Sequence, residues 1–515
     1  MFKKAFLTNS SGILCSRIFG FLRDLSMANV LGAGIYSDIF FVAFKFPNLF
    51  RRVFSEGAFT QSFLPSFIAT KKKARFSVAI FCIFFSFLVF LSILVCIFSG
   101  FFTKILAFGF EDSTILLAKP IVAINFWYLC LIFIVNFFSS LLQYKNHFWV
   151  SAYNTALLNI AMIVALFIAK DKESYEIVYF LSYGVLLGGV CQILLHCYSL
   201  YRLRFFALFM LGFRDIWRMF YKSHCPALSL QDSTHLKPIN QKDCRDITTQ
   251  NLTANITSNH NLKRTFFADI RAFFRQFFPA LLGSSTAQIA SFIDTLLASF
   301  LVSGSVSYLY YANRIFQLPL ALFAIATSTA LFPMVAKSLR NHNEDKAIIL
   351  LQKGFWLLVF ALSVCVLGGI YFSDEIIWLL FERGKFSHND TLQVAAVFVA
   401  YLIGLLPYGL ARIFSLWLYS TKRQATAAKI SAVSLCFGVI CSIILMKPFG
   451  AFGLALSSSF AGFVLFVLTI YAFGIKKFLM ILNKKKPFMV LIILLCVEFA
   501  ILKFVRFLGE LYAVI

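Results

Sequence analysis

The sequence predicts an all-α integral membrane protein of about thirteen transmembrane helices with a cytoplasmic N-terminus. Three observations carry that prediction. Of the 515 residues, 60% are hydrophobic and only 13% are charged, with phenylalanine alone occurring 66 times; soluble chains carry about 25% charged residues. The mean hydropathy is +0.83. The apolar residues come in long unbroken runs, not in the alternation of an outer-membrane barrel, so helices are the spanning structure.

Thirteen runs approach the roughly 20 residues a helical span needs. They lie near 10–31, 36–60, 77–101, 120–143, 149–169, 177–199, 277–301, 305–335, 352–372, 391–419, 427–446, 450–474 and 488–506. The first, second and eighth are the least apolar. The N-terminal "MFKKAFLTNSSGILCSRIFGFLRD" has a basic start, but Arg17 interrupts its apolar stretch and no small-residue cleavage site follows. It reads as a retained first helix, not a cleaved signal.

Lys and Arg set the orientation. With the N-terminus inside, the short inside loops hold 18 of them and the outside loops 7. The formal net charge of +25 would suggest nucleic acid on a soluble protein; here the loop bias accounts for it, and no nucleic-acid partner is expected. The twelve cysteines are scattered through apolar runs without a CxxC. They read as small hydrophobes and offer no disulfide or zinc framework.

The organisation expected is an N-terminal membrane half at 1–200, a basic cytoplasmic linker at 201–275, a second half at 276–475 and an additional C-terminal helix at 476–515. The linker is marked by "NQKDCRDITTQNLTANITSNH". A weak internal repeat supports two halves. "LGAGIYSDIFFVAFKFP" and "VSGSVSYLYYANRIFQLP" each place a proline 15 residues after a glycine, Gly32 to Pro47 and Gly304 to Pro319. Repeated halves meeting at the midplane are a common transporter plan.

Charges inside the spans carry the functional reading. Arg17, Arg23, Lys45, Arg51, Arg52, Arg314, Lys353, Arg412, Lys503 and Arg506 lie within or beside them. A lipid-facing Arg at a helix centre costs roughly 2.5–3.5 kcal/mol, so several in one bundle require partners or water. Arg17 and Asp24 are seven apart and share a helix face. Asp38, Lys45 and Arg52 also step by seven, and Asn48, Arg52 and Glu56 by four. Pro47 removes a backbone bond in the same helix and invites a kink. On the eighth helix Tyr310, Arg314 and Gln317 lie on one side. Interfacial snorkelling of Arg51 and Arg52, or a packing pair of Arg17 and Asp24, would explain these residues singly. Taken together, their positive sum suits a hydrated cavity for an anionic cargo, and the planar guanidinium suits phosphate. No catalytic constellation is present, and "GAG" at 32–34 is a tight turn because no strand precedes it. A transporter is therefore expected, not an enzyme, with no cofactor.

Residues 16–65, "SRIFGFLRDLSMANVLGAGIYSDIFFVAFKFPNLFRRVFSEGAFTQSFLP", closely resemble the start of the MurJ/MviN family. These are bacterial lipid II flippases of the multidrug/oligosaccharidyl-lipid/polysaccharide exporter superfamily. Residues 298–319, "ASFLVSGSVSYLYYANRIFQLP", resemble the family's seventh-to-eighth helix region. The resemblance implies two six-helix bundles around a central cationic cavity, in the bacterial inner membrane. It implies flipping of the undecaprenyl-pyrophosphate-linked peptidoglycan precursor, lipid II, for cell wall biosynthesis. Membrane lipids and cell-wall synthesis proteins are the other partners implied. Motif by motif, substrate binding falls on Arg17, Arg23, Arg51 and Arg314. Asp38, Asn48, Arg52, Glu56 and Arg412 are implied as supporting cavity or gate residues, and Asp24 joins them through the helix face it shares with Arg17.

The chain departs from the family in four places. Asn313 stands where many relatives carry Asp before the eighth-helix arginine. "STKRQATAAKI" lacks the Asp and Pro often found after the tenth helix. Some relatives bind sodium through an acid on the seventh helix and Asn or Asp on the eleventh; Asp294 supplies the first, but "ISAVSLCFGVICSIILM" supplies no second. Relatives usually have fourteen helices, and thirteen are expected here. Two rival readings remain: a cation-coupled drug or other glycolipid exporter, whose drug cavity would be acidic, and a non-transporting scaffold for wall-synthesis enzymes built around the linker.

Overall fold

The computed structural model describes residues 2–55, 58–145, 147, 149–221, 264–279, 281, 292–483 and 485–514. Helix dominates throughout. The first half holds α1 (Phe2–Leu31), α2 (Ile35–Ser55), α3 (Ala58–Ala69), α4 (Lys73–Ile97), α5 (Ser99–Leu106), α6 (Asp112–Phe126), α7 (Tyr128–Tyr144), α8 (Trp149–Ala169) and α9 (Ser174–Arg202). Two helices occupy the ends of the expected linker, α10 (Phe206–Tyr221) and α11 (264–279); the sequence between them lies outside the described residues. After helical residues 292–298 come α12 (Ser305–Pro319), a π-helical turn at Leu320–Ile325, α13 (Ala326–Arg340), α14 (Glu344–Tyr371), α15 (Ser373–Phe381), α16 (His388–Ile403) and α17 (Leu405–Ser420). The chain closes with α18 (Gln424–Phe473), α19 (Ile475–Leu482) and α20 (Lys485–Val514).

Among the described residues, nine helices are long and apolar enough to cross a membrane. The longest, α18, contains two expected spans joined at Gly450, whose φ of 55° and ψ of −133° break the helix two residues after Pro448. The helices α1 and α2 fall outside the nine because they carry the charges singled out above. The path from Ser305 to Arg340 has the lowest mean hydropathy of the nine, 1.8. Its π-helical turn begins directly after Pro319, where the missing N–H removes one helical bond.

Lipid gives helices no hydrophobic reason to associate, so close packing must hold them. Two means are visible. Glycines let α9 lie against α8: a Cβ at Gly184 would stand 2.7 Å from the Ala165 Cβ, and one at Gly188 only 2.8 Å from the Leu158 Cδ1. Phenylalanines fill the first half. Phe59 is fully buried and meets Phe84 and Phe133 edge-on, each at 5.6 Å between ring centres. Phe273 of α11 joins the same cluster at 6.1 Å from Phe59. Edge-to-face geometry is the favoured one for such rings.

The halves meet where α12 lies against α2 and α15 against α1. The two glycines of the internal repeat stand at this junction, in the left-handed conformation, with φ of 69° at Gly32 and 94° at Gly304. Each precedes the helix that carries the polar residues, α2 and α12. The Lys/Arg bias expects this end of the bundle outside.

The close α8–α9 approach makes a direct prediction. Gly188→Leu should lower the thermal midpoint of the purified chain, at a cost of about 1–3 kcal/mol for overpacking. Fluorescence-detected size exclusion after heating reads it; an unchanged melt contradicts the packing.

Candidate functional site

The centre of the candidate site is Asp24, on α1, which has no exposed surface. Its neighbour Arg23 bonds back to it, with Nη2 2.5 Å and Nε 3.1 Å from Oδ1. From α12, Arg314 Nε stands 2.7 Å from Oδ2, and the Tyr310 hydroxyl donates to Oδ1 at 3.0 Å. Arg23 also donates to the Tyr310 hydroxyl at 2.8 Å and to Asn159 Oδ1 of α8 at 3.2 Å. Helical spacing explains the arrangement. Tyr310 and Arg314 are four apart and share a face, as do Gly20 and Asp24. Gly20 has no side chain to obstruct the guanidinium, for a Cβ there would stand 2.6 Å from Arg314 Nη2.

Two cations and one carboxylate leave the cluster net positive. A buried charge is tolerable only with good partners. Here the partners come from both halves, since α1 and α8 precede the linker and α12 follows it. The two arginines keep part of their surface open, at 11% for Arg23 and 29% for Arg314.

A second polar contact joins the halves. Asp38 of α2 is 2% exposed and caps the start of α12 from across the junction. The Gly304 amide donates to Oδ2 at 2.7 Å, and the Ser307 amide and hydroxyl donate to Oδ1 at 2.8 and 2.5 Å. A helix N-terminus offers unpaired N–H groups and a positive dipole end, both satisfied by a carboxylate. Left-handed Gly304 makes the approach possible, because a Cβ there would lie 2.6 Å from the Ala33 carbonyl oxygen.

The loop between α15 and α16 straps the same end. The Lys385 amide donates to the Asn29 carbonyl at 2.9 Å, and its ammonium reaches the Ser174 hydroxyl at 3.1 Å. Gly384, at φ 60°, leaves no room for a side chain; its Cβ would meet the Asn29 oxygens at 2.2 Å. The strap is held from behind. Ser387 and Asp390 form a reciprocal capping box on α16, and the Tyr308 hydroxyl donates to Asp390 at 3.2 Å. The Thr391 hydroxyl donates to Glu382 at 2.6 Å and, with His388, holds that carboxyl below the usual range.

The remaining expected residues are placed as follows. Arg17 is exposed on α1, one turn before Gly20. Asn48 is half-buried on α2. The side chains of Arg51 and Arg52, and all of Glu56, lie outside the described residues. Arg412 is exposed on α17, which packs on α13, α14 and α18. Asp294 faces the charge of Lys45 on α2, so its nearby cation is a lysine. With no Asn, Asp or Glu on residues 427–446, this set does not fit a sodium ion. Sequence reasoning did not find Asn159, Ser307 or the strap. The signals were present as the Ser387-x-x-Asp390 cap and as Gly384 between two apolar runs.

A family model described as lipid II flippase MurJ matches residues 27–512. A protein of Helicobacter pylori (strain J99 / ATCC 700824), named probable lipid II flippase MurJ, is 52% identical over 476 residues, covering 92% of this chain and 96% of that protein. One of Aquifex aeolicus (strain VF5), with the same name, is 28% identical over 464 residues, covering 88% and 80%. Among solved structures, a lipid II flippase MurJ in an inward closed conformation aligns with TM-score 0.71 at 23% identity, over 98% of this chain and 100% of that one. An inward-facing multidrug resistance MATE family transporter aligns with TM-score 0.64 at 12% identity, over 93% and 99%; at such identities the likeness is one of fold. The family match and the 52% relative establish that this chain belongs to the MurJ family of lipid II flippases.

Proposed function

We propose that this chain flips lipid II across the bacterial inner membrane by alternating access, as a transporter with no catalytic chemistry. One observation supports the residue assignment above others: arginines from both halves converge on a single buried carboxylate. Arg23 and Arg314, with Arg17 and Arg51, hold the pyrophosphate while the polyprenyl tail stays in lipid. Guanidinium forks match phosphate oxygens in pairs. Asp24 keeps the two guanidiniums paired when no cargo is present, which avoids leaving buried cations bare. An arriving diphosphate takes over those bonds, and Tyr310 retains its bond to the carboxylate. What the protein contributes is a polar path for a headgroup that hydrocarbon would exclude.

Closure of the outer end rests on Asp38 and on the 382–387 strap. For the headgroup to leave outward, Asp38 must release the start of α12, whose amides then turn to water in the opened cavity. Water can replace these polar contacts, but opening must also part packed rings, since Phe41 of α2 stacks on Tyr310 of α12 at 3.9 Å and Phe21 of α1 meets Phe381 of α15 at 6.5 Å. Arg52, Asn48, Glu56 and Arg412 support the cavity and its inner gate in this reading. The positive sum of the Arg23–Asp24–Arg314 cluster disfavours a cationic drug as cargo.

Two experiments test these assignments. Arg23→Ala or Arg51→Ala should abolish complementation in cells depleted of their own flippase, with normal amounts of protein in the membrane. Normal growth of either variant overturns the arginine roles. For the outer closure, a cysteine at Ala33 in a cysteine-free background should label faster with an impermeant maleimide once Asp38→Ala is added. The increase should be roughly 2- to 30-fold, the population change matching a cap of about 0.5–2 kcal/mol. Equal labelling rates would contradict the latch.

A further inference from the structure

The helices α10 and α11 lie outside the transport path just described, yet they are built onto the bundle by specific contacts. Gly212 lets α10 approach the first turns of α4; a Cβ there would stand 2.4 Å from the Ala74 carbonyl oxygen and 2.6 Å from Val78. Phe209 packs on Phe137 at 5.9 Å. Met219 of α10 and Phe266 of α11 are buried together over Ala79, flanked by Ile216 and Ile270. Beneath them sits Arg75 of α4, 5% exposed. Its guanidinium stands 5.0 Å from the centre of the Phe266 ring, within cation–π range, and 3.7 Å from the Met219 sulfur.

This buried arginine sorts the charges on the two helices. The carboxylates that act on it are Asp215 of α10 and Asp269 of α11, both only half-exposed. They are the only acids on described residues of either helix, and both lie near enough to Arg75 to act on its charge. The arginines are left outside: Arg214 and Arg218 on α10, and Arg264, Arg271 and Arg275 on α11 are all exposed. Uncovered apolar side chains alternate with them at helical spacing. Met210, Phe213 and Trp217 are 76%, 52% and 61% exposed, and Phe267 is 54% exposed. Steps of three and four put Met210, Phe213, Arg214, Trp217 and Arg218 along one side of α10, and steps of four line up Phe267, Arg271 and Arg275 on α11.

Guanidiniums interleaved with Trp, Phe and Met suit the boundary between acyl chains and headgroups, where aromatic rings and basic residues both find favourable surroundings. An acidic soluble partner would match the arginines but not the exposed Met210, Phe213 and Phe267. We infer that α10 and α11, pinned by Arg75, form a docking surface for anionic glycerophospholipid, with the lipid phosphate held by Arg214, Arg218, Arg271 and Arg275. This surface is distinct from the arginine cluster of α1 and α12, for α10 packs on α4 and α7, and α11 on α3 and α4.

Native mass spectrometry of the full chain in mild detergent tests it, with phosphatidylglycerol and phosphatidylcholine as probes. The variant Arg214→Gln, Arg218→Gln, Arg271→Gln, Arg275→Gln should lose phosphatidylglycerol retention on the order of tenfold or more. Phosphatidylcholine retention and the size-exclusion profile should not change. A second variant removes four exposed charges elsewhere (Arg340→Gln, Lys422→Gln, Lys476→Gln and Lys486→Gln) and should keep phosphatidylglycerol. Unchanged retention in the first variant, or an equal loss in the second, overturns the assignment. So does a first variant that loses only lipid-linked pyrophosphate and keeps phosphatidylglycerol.

Discussion

Everything in the bundle is arranged around one ion cluster: a carboxylate without solvent, Asp24, held between Arg23 on its own helix and Arg314 on a helix from the other half. Burying a charge inside a membrane protein is expensive, and the cost is met only when partners approach closely from several sides. That requirement fixes the rest. Gly20 must be small for Arg314 to reach across. Tyr310 must precede Arg314 by one turn. Asn159 must offer its oxygen from α8. Because the partners belong to both halves, the cluster also joins them.

The fold itself does not choose the cargo. The same architecture is found in a multidrug resistance MATE family transporter at 12% identity, and related folds commonly serve unrelated ligands. In the reading proposed here the choice is made by the sign of the centre: two arginines against one aspartate suit phosphate, with a planar geometry that a lysine does not offer. The junction at Asp38 uses the opposite arrangement, a carboxylate against a helix N-terminus. A charge–dipole contact of this kind is strong enough to define a closed state and weak enough for water to replace.

Much of this was legible in the sequence. The apolar runs predicted the helices, because nothing but helix satisfies a backbone in lipid. Charge inside apolar runs identified α1, α2 and α12 as the helices of interest, and the spacing of Tyr310 and Arg314 placed them on one face. What the sequence could not supply was pairing across 286 residues, as between Asp24 and Tyr310. Heptad spacing associated Asp24 with Arg17, whereas the carboxylate accepts from the adjacent Arg23 and forms an ion pair with the distant Arg314. Asp38 read as one step of a polar stripe with Lys45 and Arg52; its partners are two backbone amides, which carry no sequence signal, and the Ser307 hydroxyl, 269 residues away. The expected linker took its character from the polar stretch around 240–260, although Phe206–Tyr221 is largely apolar and packs on α4 as α10.

The most direct test of the central claim is a structure of the full chain with lipid II bound. The account predicts diphosphate oxygens at about 3 Å from both Arg23 and Arg314, with at least one of the arginine bonds to Asp24 given up. A diphosphate held by one half alone, or lying away from both arginines while the Asp24 cluster stays closed, would contradict it.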